Sequence, residues 1–422
     1  MPGPEPEPGH GAALRYGALG FALAFVALPL YVLLPAHYAG QLGVPLAGLG
    51  AVLLGARLLD ALVDPWLGRL GDRWLAGEPG RLLALLAGAA LLMAGGFVGL
   101  FFPPVRQPGP LLAWCAALLL LCYFGFSLLS VTHQAWGARL GGDARRQTRL
   151  VAWREGFALL GVVAASVLPG LAGMPATCLL LALALAAGLA LLRRAPRAWP
   201  AGSPAGDDAA PTAAQVWRTP GFGRLLAVFL LNGIAAAVPA TLLLFFVRDR
   251  LRTPEAEGLF LASYFIAAAL SLPLWLRLVE RLGQARAWAL GMGLAVLSFA
   301  WAALLPAGAW LGFCAICVAS GLALGADLSI PGPMLTRVIQ QAGLTGRAEG
   351  AFFGWWSAAG KLNLALAAGL ALPLLQLLGY APGRRDEEAL RALALAYCAL
   401  PCLFKLAALA LLHRFWIPEN AR

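Results

Sequence analysis

One pattern runs through the whole chain: stretches of about twenty apolar residues separated by short polar gaps. A helix rises 1.5 Å per residue, so each stretch is long enough to cross a hydrocarbon core of ~30 Å. Twelve such spans fall near 17–38, 45–67, 82–102, 111–136, 150–170, 175–192, 225–247, 258–276, 287–305, 309–336, 350–378 and 392–412. Strands do not fit, because a spanning strand needs only ~9–11 residues of alternating polarity. Composition agrees: 61% of the residues are hydrophobic and 12% charged, against about 25% charged in soluble domains. The expected fold class is an all-α membrane protein with twelve transmembrane helices.

The net charge of +11 does not point to nucleic acid, because the basic residues form no block and sit in the gaps between spans. Their bias toward alternate gaps places both termini in the cytoplasm under the positive-inside rule. The expected location is a cell inner (plasma) membrane, with the chain crossing it many times. Residues 1–16, opening MPGPEPEPGHG, lack the pattern of a signal peptide and read as a disordered cytoplasmic tail. The Pro-, Ala- and Gly-rich stretch 193–220 reads as a cytoplasmic linker between six-span halves at 17–192 and 221–413, with a tail at 414–422. The halves match each other: PWLGRLGDR, Pro65 to Arg73, aligns with PLWLRLVER, Pro273 to Arg281. Parallel six-span repeats are the construction of major facilitator transporters. Asp72 and Arg73, with Glu280 and Arg281 in the second copy, are candidates for conformational gating at helix ends.

Ionisable residues inside spans cost about 2.5–3.5 kcal/mol each, so they pair or face a wet cavity. Arg57, Asp60 and Asp64 fall within about 60° of one another on one helix face. The repeat copy carries Ala268 and Leu272 where the two acids stand, which favours function over structural pairing. Lys361, deep in the eleventh span, is the expected partner of the two carboxylates and completes a cation-coupling set. Arg154 and Glu155 read equally as a local pair or as snorkelling side chains. Asp327 lies beside a Pro331-Gly-Pro333 break, a feature that often borders binding sites. Lys405 reads as a helix-end snorkeller. His133 suits a proton relay or a plain hydrogen bond, and Trp355 suits packing or stacking on a solute. Together with Arg57, the candidate solute-binding residues are Ser130, His133, Gln134, Arg154, Asp327, Trp355 and Ser357. The seven cysteines lie in apolar runs and read as small hydrophobes. Cys314-x-x-Cys317 has no second pair to make a metal site, and no cofactor is expected.

The second-span stretch RLLDALVDP, Arg57 to Pro65, resembles the signature of the glycoside–pentoside–hexuronide:cation symporters, the melibiose permease family of the major facilitator superfamily. The likeness extends to SVTHQAWGARL (Ser130 to Leu140), to Asp143-x4-Thr148-Arg-Leu150, to TGRAEG (Thr345 to Gly350), to Lys361-Leu and to LGYAP (Leu378 to Pro382). The resemblance implies alternating access, with Asp60 and Asp64 binding the coupling cation and Lys361 linked to them. Departures are equally specific. Val63 stands where sodium-using members carry Asn, and Ala24 and Ser130 replace the sugar-holding acids. Thr132 replaces a Pro, and Arg139 replaces the loop's Glu.

The function expected from all this is secondary active transport: symport of a small organic solute with a cation. Carbohydrate is the solute class that the family implies. The alternatives are an amphipathic or lipid-like solute on the same fold, or a membrane sensor that binds without transporting. The coupling ion is expected to be H⁺ rather than Na⁺, since Val63 withholds an oxygen ligand while paired acids suffice for a proton. No nucleophile–base set, phosphate loop or H-E-x-x-H motif suggests an enzyme. The expected partners are the solute and membrane lipid, with the chain working as a monomer.

Overall fold

The computed structural model describes residues 10–140, 143–196, 212–380 and 385–417, and among them helix is the only regular structure. In chain order the helices are α1 (His10–Gly17), α2 (Leu19–Leu28), α3 (Leu34–Ala36), α4 (Leu46–Leu75), α5 (Pro79–Phe101), α6 (Pro108–Arg139), α7 (Ala144–Arg193), α8 (Ala213–Arg218) and α9 (Phe222–Phe245). They continue as α10 (Glu257–Leu282), α11 (Gln284–Ala302), α12 (Trp310–Ser329), α13 (Pro331–Gln341), α14 (Glu349–Leu377), α15 (Glu387–Ala394) and α16 (Leu400–Trp416). Wider π-type turns at Pro29–Leu33 and His37–Gln41 flank α3. Pro29 and Pro35 lack an N–H for the regular ladder, and a slackened helix results.

Nine of the described helical stretches are long and apolar enough to cross a membrane. Twelve apolar runs are legible in the sequence, and part of the difference has a simple origin. The 50-residue α7 is counted once but is broken at Gly173, where φ is +76°. That left-handed conformation suits glycine and separates two of the apolar runs. Outside the nine lie α4, which carries Arg57, Asp60 and Asp64, and the 29-residue α14.

The expected tail at 1–16 is helical from His10, and α1 packs on α7. Residues 1–9, the linker stretch 197–211, residues 381–384 with Pro382, and the tail 418–422 lie outside the described residues.

The chain divides into two compact units. One comprises the chain up to Arg218 with Ile339–Ala358, and the other comprises Thr219–Val338 with Ala359 onward. In the first, α2 packs on α7, and α4 and α5 both pack on α6. In the second, α9 packs on α16, and α10 and α11 both pack on α12. The neighbour pattern of the second helix with the fourth, and the third with the fourth, therefore recurs, as the sequence repeat requires. Each unit keeps its own apolar core, built around residues such as Phe25 and Phe97 in one and Phe246 and Phe313 in the other.

Polarity is arranged inside out relative to a soluble protein. Trp66 is 76% exposed and Leu171 80%, while Asp64 on the same helix as Trp66 is fully buried. Large apolar side chains face outward along helices long enough to span a bilayer, and carboxylates face inward, as lipid as a solvent demands.

Candidate functional site

Among the polar clusters that interrupt the apolar packing, three hold candidate residues, two in the first unit and one in the second. The first is the acidic face of α4. Asp60 and Asp64, one turn apart, are 8% and 0% exposed. Ser127 of α6 donates its hydroxyl to Asp60 Oδ1 at 2.6 Å. Arg57 stands one turn before, its guanidinium 4.0 Å above the Tyr31 ring. Val63 sits on the flank of this face, 38% exposed, and contributes no oxygen. The face thus gathers two carboxylates and a hydroxyl, and Ser127 is a member that sequence reasoning missed. Its signal was present: it lies one turn before Ser130 on the same helix, among residues otherwise read for solute binding.

Farther along α6, Ser130 and Gln134 are joined, Gln134 Nε2 donating to Ser130 Oγ at 3.2 Å. His133 is buried against Tyr16, ring centroids 4.4 Å apart. The Tyr16 hydroxyl donates to the His133 carbonyl (3.1 Å), and His133 Nε2 lies 2.8 Å from the Tyr16 carbonyl. A carbonyl only accepts, so Nε2 carries the hydrogen. Of the two sequence readings of His133, the geometry displays the hydrogen-bonded one. Arg154 is locally paired, its Nη2 2.5 Å from Glu155 Oε1, and its backbone presses on α1 at Gly17 and on α2 at Gly20. Trp355 meets Trp217 edge to face at 5.1 Å, and Ser357 is half-buried two residues on.

The second cluster lies where α4 ends. Asp72, 2% exposed, accepts from Arg139 Nη2 at 2.8 Å, from the Gly350 N–H at 2.7 Å and from the Ala351 N–H at 2.8 Å. Gly350 and Ala351 begin α14, so Asp72 caps the N-terminus of a helix from another part of the chain, where backbone donors are unpaired and the dipole favours an anion. Arg139 also donates through Nε to Glu349 Oε2 at 3.1 Å, and Glu349 Oε1 takes the Gly346 N–H at 2.6 Å. This reach requires bare backbone contact between α4 and the start of α14. A Cβ on Gly68 would lie 1.9 Å from the Gly350 carbonyl oxygen, and one on Gly354 would lie 2.5 Å from that of Asp64. The adjacent Arg73 is exposed, so the arginine of the clamp is Arg139. In the repeat copy Glu280 and Arg281 are both exposed at the end of α10.

The third cluster, within the second unit, corrects the reading of Lys405. Its side chain is not snorkelling at a helix end but 2% exposed, with Nζ 2.5 Å from Asp327 Oδ2 and 2.6 Å from Asn232 Oδ1. Asp327 Oδ1 accepts the Trp288 indole N–H at 2.8 Å. Asp327 of α12 and Lys405 of α16 are far apart in sequence, and neither carries a motif that announces the other. Lys361 lies on α14 in this same unit, half-buried.

Apolar spanning helices in two like-packed units, each with charges turned inward, define a transporter of the major facilitator fold. Residues 15–419 match the family described as MFS/sugar transport protein, and the chain belongs to that family. Solved structures agree on the fold. A bacterial homologue of the iron transporter ferroportin, in an outward-facing state, superposes with a TM-score of 0.71 at 18% identity, covering 98% of this chain and 100% of that one. The human organic anion transporter MFSD10 (TETRAN) gives a TM-score of 0.63 at 17% identity, covering 97% and 100%.

Proposed function

We propose that the protein is a proton-coupled symporter of a small organic solute, working by alternating access as a monomer in the inner membrane with both termini cytoplasmic. The observation that carries this reading is the pair Asp60 and Asp64, buried one turn apart on a helix of a transporter. Burying acidic side chains in a membrane protein is costly and marks ion and proton pathways. The resemblance to the glycoside–pentoside–hexuronide:cation symporters supports twelve spans and the role of Asp60, Asp64 and Lys361 as the coupling set. It also supports carbohydrate as the solute class, as does the sugar-transport description of the family.

With two carboxylates one turn apart on one face of α4, the coupling proton is assigned to the pair and to neither acid alone. Ser127 offers Asp60 a hydrogen bond in the ionised form and can rotate to accept one in the protonated form. Loading the face with a proton removes one negative charge from the membrane interior, and unloading restores it. Solute contacts are assigned to Arg57, Ser130, His133, Gln134, Arg154, Asp327, Trp355 and Ser357. Gating is assigned to Asp72 with Arg139 and Glu349, because an acid on a helix N-terminus is a contact that makes or breaks as a unit. Arg73, Glu280 and Arg281 complete the helix-end set proposed from the repeat.

The test is proton movement in proteoliposomes that hold a pH-sensitive dye, with mono- and disaccharides added one at a time outside. A transported sugar acidifies the lumen, and Asp64→Asn abolishes that signal while sparing solute exchange. A sugar accumulated with no proton flux, or an unaltered signal in Asp64→Asn, overturns the reading.

A further inference from the structure

A partly open cavity of about 150 Å³ is lined by residues of the second unit, with Tyr264, Phe299, Phe313 and Tyr397 in its wall and Asp327 and Lys405 in its lining. A void of that size lined by apolar side chains accommodates a molecule such as benzene. Its polar groups are unusual in one respect. An ammonium has three N–H donors, and two of those on Lys405 go to Asn232 and Asp327. Among the described residues no acceptor takes the third. A donor left unfilled on a side chain 2% exposed carries a desolvation penalty that a ligand's acceptor would remove.

The charge of the site is also fixed by geometry. Asp327 and Lys405 form one close pair, so their charges sum to zero, and an anionic head placed on Lys405 would meet the Asp327 carboxylate at the same contact. A cationic head would meet Lys405. With one oxygen on the Trp288 indole and the other on Lys405, the carboxylate still has lone pairs to spare, and its side chain is 12% exposed. The polar corner therefore offers one donor and one acceptor, which a single hydroxyl satisfies. A sugar carries a hydroxyl on nearly every carbon, more than this corner can partner, so the ligand of this cavity is not the transported sugar, and Asp327 is reassigned to it from the solute contacts above.

We propose that this cavity is a binding site for a compact, uncharged amphipathic molecule: one apolar ring, or a body of like size, bearing a single hydroxyl held by Lys405 and Asp327. Occupancy of this site is a property of the second unit and holds whether or not the proton-coupled reading above is correct.

The experiment is ¹⁹F NMR titration of the full-length protein in phospholipid nanodiscs, with empty nanodiscs recording partition into lipid. The probes are 4-fluorobenzyl alcohol, 4-fluorophenylacetate, 4-fluorobenzylamine and 2-deoxy-2-fluoroglucose. Saturable binding of the alcohol above the empty-disc background is expected. Ala236→Phe or Ala240→Phe, each placing a ring in the cavity wall, should weaken it tenfold or more. The charge-free pair Lys405→Met with Asp327→Asn, which leaves no lone buried ion, should weaken it by about tenfold, the loss of one charge-assisted hydrogen bond. No saturable binding, or binding indifferent to both phenylalanine variants, overturns the site. Tighter binding of the acid, the amine or the sugar overturns the chemistry assigned to it.

Discussion

The clamp at the end of α4 allows the sharpest numerical prediction. Asp72 holds three donors, two of them backbone N–H groups of α14 and the third on Arg139. The Asp72 and Arg139 side chains are 1% and 3% exposed, so solvent screening gives little relief. Removing one member of such a buried pair costs about 3–5 kcal/mol, because the partner's charge and donors are left unmet. Asp72→Ala should fall in that range. Asp72→Asn keeps one oxygen but turns an NH₂ group toward a donor, and should cost about 1.5–3 kcal/mol, the worth of a hydrogen bond to a charged group. Arg139→Ala should resemble Asp72→Ala, and the double variant should cost less than the sum, with coupling of about 0.5–3 kcal/mol. Arg73→Ala, at an exposed position, should stay within about 0.5 kcal/mol of the parent. The assay is reversible unfolding of purified protein, followed by tryptophan fluorescence in mixed micelles. An Arg73→Ala variant as unstable as Arg139→Ala, or additive losses at Asp72 and Arg139, would refute the clamp.

Further substitutions test the other contacts. Gly350→Ala sets a Cβ 2.1 Å from the Gly68 carbonyl oxygen and should cost about 1–3 kcal/mol by overpacking. Gly80→Ala, in open space, should be neutral or slightly stabilising in the same melting assay. Ser127→Ala removes the hydroxyl 2.6 Å from Asp60 and should slow coupled transport, with Ser127→Thr restoring it; normal uptake in the alanine variant counts against a coupling role for this face. Lys361→Ala should depress solute accumulation, and adding Asp60→Asn should recover part of it. Strictly additive losses would separate Lys361 from the acids.

The sequence and the structure agree where a single physical demand dominates. Apolar runs of membrane length dictate helices, and a helix with acids spaced four apart dictates one shared face, so Asp60 and Asp64 were legible from spacing alone. What spacing cannot convey is which partner a side chain meets across the fold. Asp72 was legible as a helix-end acid, yet its arginine is Arg139 rather than the neighbouring Arg73, because the end of α6 and the start of α14 converge there. Lys405 looked isolated for the same reason: Asn232, Trp288 and Asp327 come from three other helices. Gly68, Gly350 and Gly354 were silent in sequence, since a glycine that permits backbone contact looks like any other glycine in a greasy helix. Residues His10–Gly17 are helical and pack on α7, a tertiary contact that the Pro- and Glu-rich sequence before them conceals.

The central claim is that the acids of α4 couple transport to protons. Its most direct measurement is uptake into proteoliposomes under one imposed ion gradient at a time, using a sugar first shown to exchange across the membrane. Uphill accumulation should be driven by an inward proton gradient with sodium absent, and Asp64→Asn should abolish it. Accumulation driven by an inward sodium gradient at equal pH on both sides would contradict the claim.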